Sequence, residues 1–217
     1  MTNDSIRPSI PARYSYEERA MYLPDMFRQD DRAAAMAVVE DYPFAVVVSR
    51  DPALEIAHVP MIAEPGGGAL LGHVARVNPL AERILAGTEL TAVFTGPHAY
   101  VSPTWYVSPR MVPTWNFVAV HVSGAADPIT DRAALAELVE DLADFFERER
   151  DDPRIPDYPE AMLDAIVGFR LPVERLEAKF KLSQNRGAAD RAGVIAALDA
   201  GGDGERAVAA MMKTAGV

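Results

Sequence analysis

The eight residues Gly72–Pro79, GHVARVNP, hold the densest anion-binding chemistry in the chain. An apolar, β-prone run ends there, and Asn78-Pro79 opens a helix. Asn is a strong N-cap, and Pro at the first helical position gives up no hydrogen bond. The first amides of a helix lack internal partners and attract anions. Arg76 stands just ahead of that terminus, and its planar guanidinium can fork onto a phosphate. Arg76, Asn78 and the helix start therefore read as a mononucleotide phosphate seat, with a capped helix beside a surface arginine as the plainer alternative.

The four histidines are the next candidates. His58 and His73 fall on consecutive strands and are expected to approach each other. No third ligand stands at a metal-binding spacing beside them, so zinc is not expected. His98 and His121 read as hydrogen-bonded barrel or loop residues. No nucleophile elbow, GxGxxG or P-loop occurs, and no side chain reads as a catalytic acid, base or nucleophile. Trp105 and Trp115 flank an aromatic, Pro-rich stretch, Pro97–Trp115, read as a long loop. Its indoles suit core or interface packing, or covering a flat ring. Lys179–Arg191 is the one locally basic stretch, and its Ser183-Gln184-Asn185-Arg186 run packs many donors into four residues.

The elements that must position these residues are mostly strands. PFAVVVS (Pro43–Ser49), EIAHVPMIA (Glu55–Ala63), ALLGHVA (Ala69–Ala75), ELTAVFTG (Glu89–Gly96), NFVAVHVSG (Asn116–Gly124) and AIVGFRLPV (Ala165–Val173) each read as one strand. Pro60 predicts an edge position or a bulge. EPGGG (Glu64–Gly68) reads as a hairpin loop. A short helix is predicted from Asp30, capped by Asp30 or Asp31, and another from Glu160. Asp131–Arg150 repeats Leu135, Leu138, Val139, Leu142, Phe145 and Phe146 at helical spacing, a core-facing stripe. The tail from Ala188 is helical, broken at Gly201–Gly204. Strands with sparse helices predict an α+β chain, mainly β with peripheral helices, closing into a small barrel.

The chain has 217 residues, 49% hydrophobic and 24% charged, with no cysteine. The net charge is -11. That field opposes phosphate-rich partners, so direct DNA binding is disfavoured unless a local basic patch serves it. Absent cysteine, no apolar run near membrane-spanning length and a polar start predict a cytoplasmic protein without disulfides, membrane span or secretory signal.

MYLPDMF (Met21–Phe27), GHVARVNP, FTGPHAYVSPTWY (Phe94–Tyr106), VPTWNFVAVHVSG (Val112–Gly124) and IVGFRLPVERLEAKFKLSQNR (Ile166–Arg186) together resemble the PaiB family, FMN-binding negative transcriptional regulators. The resemblance covers about residues 21–212. It implies an FMN-binding split β-barrel and a homodimer with the flavin at the subunit interface. It places His58, Val59 and Pro60 along one side of the flavin, and His73, Arg76 and Asn78 about its phosphate and ribityl chain. Trp115, Asn116, Gln184, Asn185 and Arg186 would come from the partner subunit. The implied organisation is an added arm over 1–20, an FMN-binding domain over 21–186 with a helical insertion at 131–164, and a helical tail over 187–217. A flavin-dependent oxidoreductase, or a haem-binding barrel with His58, His73, His98 or His121 as axial ligand, stands as the alternative.

Overall fold

The computed structural model describes residues 21–152 and 160–216. The N-terminal arm expected over residues 1–20 lies outside them. Among the described residues nine strands form two antiparallel sheets. The first runs β2 (Glu55–Pro60), β1 (Phe44–Ser49), β5 (Glu89–Val101), β6 (Thr114–Ala125), β9 (Arg175–Lys181). The second runs β3 (Ile62–Ala63), β4 (Ala69–Ala75), β8 (Ile166–Pro172), β7 (Asp127–Ile129). Their inner faces close on one core, with Phe94, Phe169, Leu70, Leu171, Val118, Val120 and Val122 fully buried. This is the expected split barrel with peripheral helices.

The expected strand Glu55–Ala63 is broken at Met61, whose amide bonds Pro43 O at 2.9 Å. Pro60 ends β2 on the sheet edge, where a missing N–H costs no ladder bond, and the chain turns into β3 of the second sheet. The expected loop Pro97–Trp115 is shorter than predicted. Strand β5 runs on to Val101 after a register shift between Thr95 and His98, and β6 begins at Thr114. Pro97 lies inside that irregularity, where a residue without N–H is tolerated. Strand β9 was not expected; only its last three residues, Lys179–Lys181, fall in the stretch read as basic.

Helix α1 (Arg32–Asp41) is capped by Asp31, and α2 (Pro79–Leu85) by Asn78. Helix α2 stops before Gly87, whose φ of +65° suits a helix end. Helix α3 (Arg132–Glu147) is capped by Asp131 and covers the outer face of the second sheet. Its Leu135, Leu138 and Leu142 are buried, each contributing about 1.5–3 kcal/mol. Gly168 of β8 makes the groove: a Cβ there would stand 2.6 Å from Leu138 Cδ2 and 2.9 Å from Leu135 Cδ2. The helix predicted from Glu160 is a 3-10 turn, Glu160–Ala165. Helices α4 (Ala188–Asp199) and α5 (Asp203–Thr214) fill the far end of the same core through Val194, Leu198, Val208 and Met212.

Candidate functional site

Cross-strand register shows what the outer face of the five-stranded sheet presents. One row runs His58, Val46, Val93, His121, Glu177 across all five strands. The next row runs Ile56, Val48, Thr91, Ser123, Arg175. Beyond the β5 irregularity the same face carries His98 opposite Phe117 and Tyr100 opposite Trp115. A sheet with one face in the core normally turns polar residues outward. Here Phe44 is 64%, Ile56 56%, Trp115 52% and Tyr100 45% exposed. Trp115 meets Tyr100 edge-on at 6.1 Å and His98 at 6.3 Å, so the aromatic end is a joined patch. Exposed apolar side chains at the two ends of this face, Phe44 and Ile56 at one and Trp115 and Tyr100 at the other, mark a binding surface.

The predicted site residues divide between this face and three other places. His58 lies on it, with its ring stacked on Phe44 at 5.8 Å. His73 does not join it. Register pairs His73 with Gly168, under α3, in the second sheet. The expected approach of His58 and His73 is therefore not made: the two strands turn these side chains to different sheet surfaces. Burial pushes the His73 pKa down, and its Nδ1 has no hydrogen-bond partner. His121 differs from the hydrogen-bonded residue expected. Its Nδ1 is buried without a partner, and burial holds its pKa down against the opposing pull of Glu177. His98 does find one, Nδ1 lying 3.2 Å from Gly96 O. No cluster of three metal-ligating side chains occurs among the described residues.

Val59 points into the core, while His58 and Pro60 point outward. As the edge strand, β2 pairs only with β1, so alternate backbone N–H and C=O groups face away from the sheet. They suit the donor and acceptor edge of a planar heterocycle.

The Arg76 corner departs from the anion seat expected of it. Pro79 has no N–H, Asn78 Oδ1 accepts from Leu80 N at 2.9 Å, and Ala81 N donates to Asn78 O at 2.8 Å. The first amides of α2 are thus spent locally and do not offer an anion hole. Arg76 remains exposed. Its Nε donates to Asp164 O at 2.7 Å and its Nη2 to Ile166 O at 2.9 Å. These bonds to the start of β8 fix the guanidinium plane and leave Nη1 outward, without a hydrogen bond among the described residues. The Asn78 side-chain amide nitrogen likewise makes no hydrogen bond among the described residues. The corner fits one phosphate oxygen edge, held by side chains and not by the helix.

Asn116 is fully buried. Its amide exchanges hydrogen bonds with Ser183 Oγ at 3.0 and 3.2 Å and reaches Met212 Sδ at 3.5 Å. It ties β6 to the turn after β9 and to α5 inside its own subunit. The Gln184 amide closes that turn, accepting from Leu182 N at 2.7 Å and donating to Phe180 O. Asn185 is exposed, and Arg186 stands over the Tyr106 ring at 5.5 Å. Of the group expected to reach a partner, Trp115, Asn185 and Arg186 therefore face outward.

Sequence reasoning took Lys181 only as part of the basic stretch and missed its partner Thr114. Lys181 Nζ donates to Thr114 Oγ1 at 2.7 Å and to Trp115 O. The period-two pattern of Arg175–Lys181, apolar at Leu176, Ala178 and Phe180, was the signal that β9 places it there.

Residues 21–175 match the family described as "Putative FMN-binding domain". The chain belongs to this FMN-binding family. A curated relative points the same way: the Bacillus subtilis "Protease synthase and sporulation protein PAI 2" is 35% identical over 186 residues, spanning 82% of this chain and 89% of that protein. Family membership supports FMN as the cofactor. Among solved structures, the "FAD and Heme binding protein" of Mycobacterium smegmatis aligns with TM-score 0.61 at 15% identity, covering 76% of this chain and 78% of that one. The flavocytochrome Anf3 of Azotobacter vinelandii aligns with TM-score 0.58 at 16% identity, covering 71% and 69%. At those identities the likeness is one of fold. No helix among the described residues of this FMN-binding family member is long and apolar enough to cross a membrane.

Proposed function

We propose that the protein is an FMN-binding homodimer of the PaiB type, a negative transcriptional regulator that works through a protein or metabolite partner. The observation that carries this reading is the apolar surface about Phe44 and Ile56 on the five-stranded sheet, exposed among the described residues. A second copy laid on that face removes Phe44, Val46, Ile56 and Val93 from water, with FMN in the seam between the two copies. The β2 edge, His58 to Pro60, lies along the flavin ring. Arg76 and Asn78 hold its phosphate through side-chain donors. Trp115, with Asn185 and Arg186, reaches across from the partner, Trp115 bringing an aromatic surface to the ring. His73, Asn116 and Gln184 position the strands and turn that carry these residues.

When bound, FMN supplies reversible electron and hydride chemistry. The chain's part is to orient the ring, exclude water from it and anchor its phosphate. Indirect regulation follows from the net charge of -11, which repels a DNA backbone at long range. An electrophoretic mobility shift at physiological salt tests it. The pure protein is expected to leave promoter DNA unshifted, and tight, sequence-specific binding would contradict the indirect route.

A further inference from the structure

Three cations gather at the β9 edge of the open face, and each is held by neutral groups. Lys179 Nζ donates to Tyr22 O at 2.8 Å and lies 5.4 Å from the Phe117 ring centroid. Lys181 uses two donors, on Thr114 and Trp115. Arg186 stands over Tyr106. Among the described residues no carboxylate lies within ion-pairing distance of any of the three, although the chain carries 32 acids to 21 Lys and Arg. Asp190 feels the charge of Arg186 but turns its carboxylate to the Val107 and Ser108 amides, both at 2.9 Å. An ammonium has three N–H donors. Among the described residues Lys179 therefore keeps two unspent and Lys181 one.

We propose that Lys179 and Lys181 form an oxyanion-binding site for the phosphate or carboxylate of a small ligand, separate from the Arg76 seat of the flavin phosphate. The two lysines are two residues apart on one strand and project to the same face. Burial lowers the Lys179 pKa; burial, and then the nearby charges of Lys179 and Arg186, lower that of Lys181. Like charges held this close, partly out of water, are relieved by a bound anion. The Phe117 ring beside Lys179 gives an organic anion an apolar floor. Within one subunit the site stands at the opposite sheet edge from β2, four strand steps or roughly 19 Å away.

Inorganic phosphate is the probe, exchanged for chloride at constant ionic strength, and calorimetric Tm is the readout. It is measured on the apoprotein and on FMN-loaded protein. A saturating rise of roughly 3 °C is expected in both. Lys181→Met should weaken the apparent affinity at least tenfold and Lys181→Arg should retain it. Lys179→Met serves as a second variant, with the same weakening expected, should Lys181→Met fold poorly. A rise that does not saturate, or that is equal in wild type and both methionine variants, is a general salt effect and overturns the site. Loss of the rise on FMN loading would assign these cations to the flavin and overturn the separate site. The dependence on Lys181 is read without flavin, so failure of FMN to bind leaves that arm intact.

Discussion

The two sheets treat their outer faces in opposite ways. The second sheet presents Leu71, Ile129 and Gly168, and α3 covers them with Leu135, Leu138 and Leu142. The first sheet presents Phe44, Val46, Ile56 and Val93, and no helix of the described chain covers them. Both faces are apolar, so both need a cover. The difference is that one cover is encoded in the same chain and is part of folding. On the proposed reading the other is left to association, which would make it the place where a cofactor enters.

Substitutions on each face can break or sharpen that contrast. Val46→Asp places a charge in the middle of the open row. Burying it unpaired should raise the dimer dissociation constant at least about 1,000-fold, roughly 4 kcal/mol, with little change in subunit stability. Sedimentation equilibrium across a dilution series measures it, and an unchanged constant would mean the face is not the interface. Leu138→Ala tests the covered side. It should cost about 3 kcal/mol in denaturant unfolding, and its dimer constant should stay as in wild type.

Arg76→Ala should weaken FMN about 10- to 100-fold, because it removes a charge-assisted contact to phosphate. Riboflavin, which has no phosphate, should bind within about twofold of wild type. Equal losses for both flavins, read by fluorescence titration, would move Arg76 away from the phosphate.

The smallest effect is in pH dependence. His73 and His121 have pKa values lowered by burial in the folded chain. The unfolded chain then binds protons first, so their neutral forms stabilise the fold above about pH 6.5, and that contribution falls away as pH drops below it. Histidine NMR titration separates the two. Val46→Asp should raise the His121 pKa by setting a carboxylate in its row, two strand steps or roughly 10 Å away, and leave His73, under α3, where it was. Parallel shifts of both would erase the distinction between the faces.

Much of the barrel was legible in the chain. Strict apolar–polar alternation is absent from Pro43–Ser49, yet its β-branched run, the Asn78 cap and the leucine stripe of α3 each carry their structure within one short window. The open face does not. His58, Val46, Val93 and His121 come from four segments, and only strand register sets them in a row. The candidate site was legible in its exposed members, Arg76 and Trp115. Asn116 and Gln184 were misleading because an amide reads the same whether it meets a ligand or ties a turn; Ser183 and Met212, distant in sequence, decide it. The same locality hid the spent amides of α2, which depend on how tightly Asn78 folds back on Leu80.

The most direct test follows flavin and mass together. In sedimentation velocity recorded at the flavin absorption band, FMN should travel with a species of twice 23.6 kDa in wild type, and sediment as free flavin with Val46→Asp. FMN moving on a single 23.6 kDa chain would contradict a cofactor seam built from two open faces.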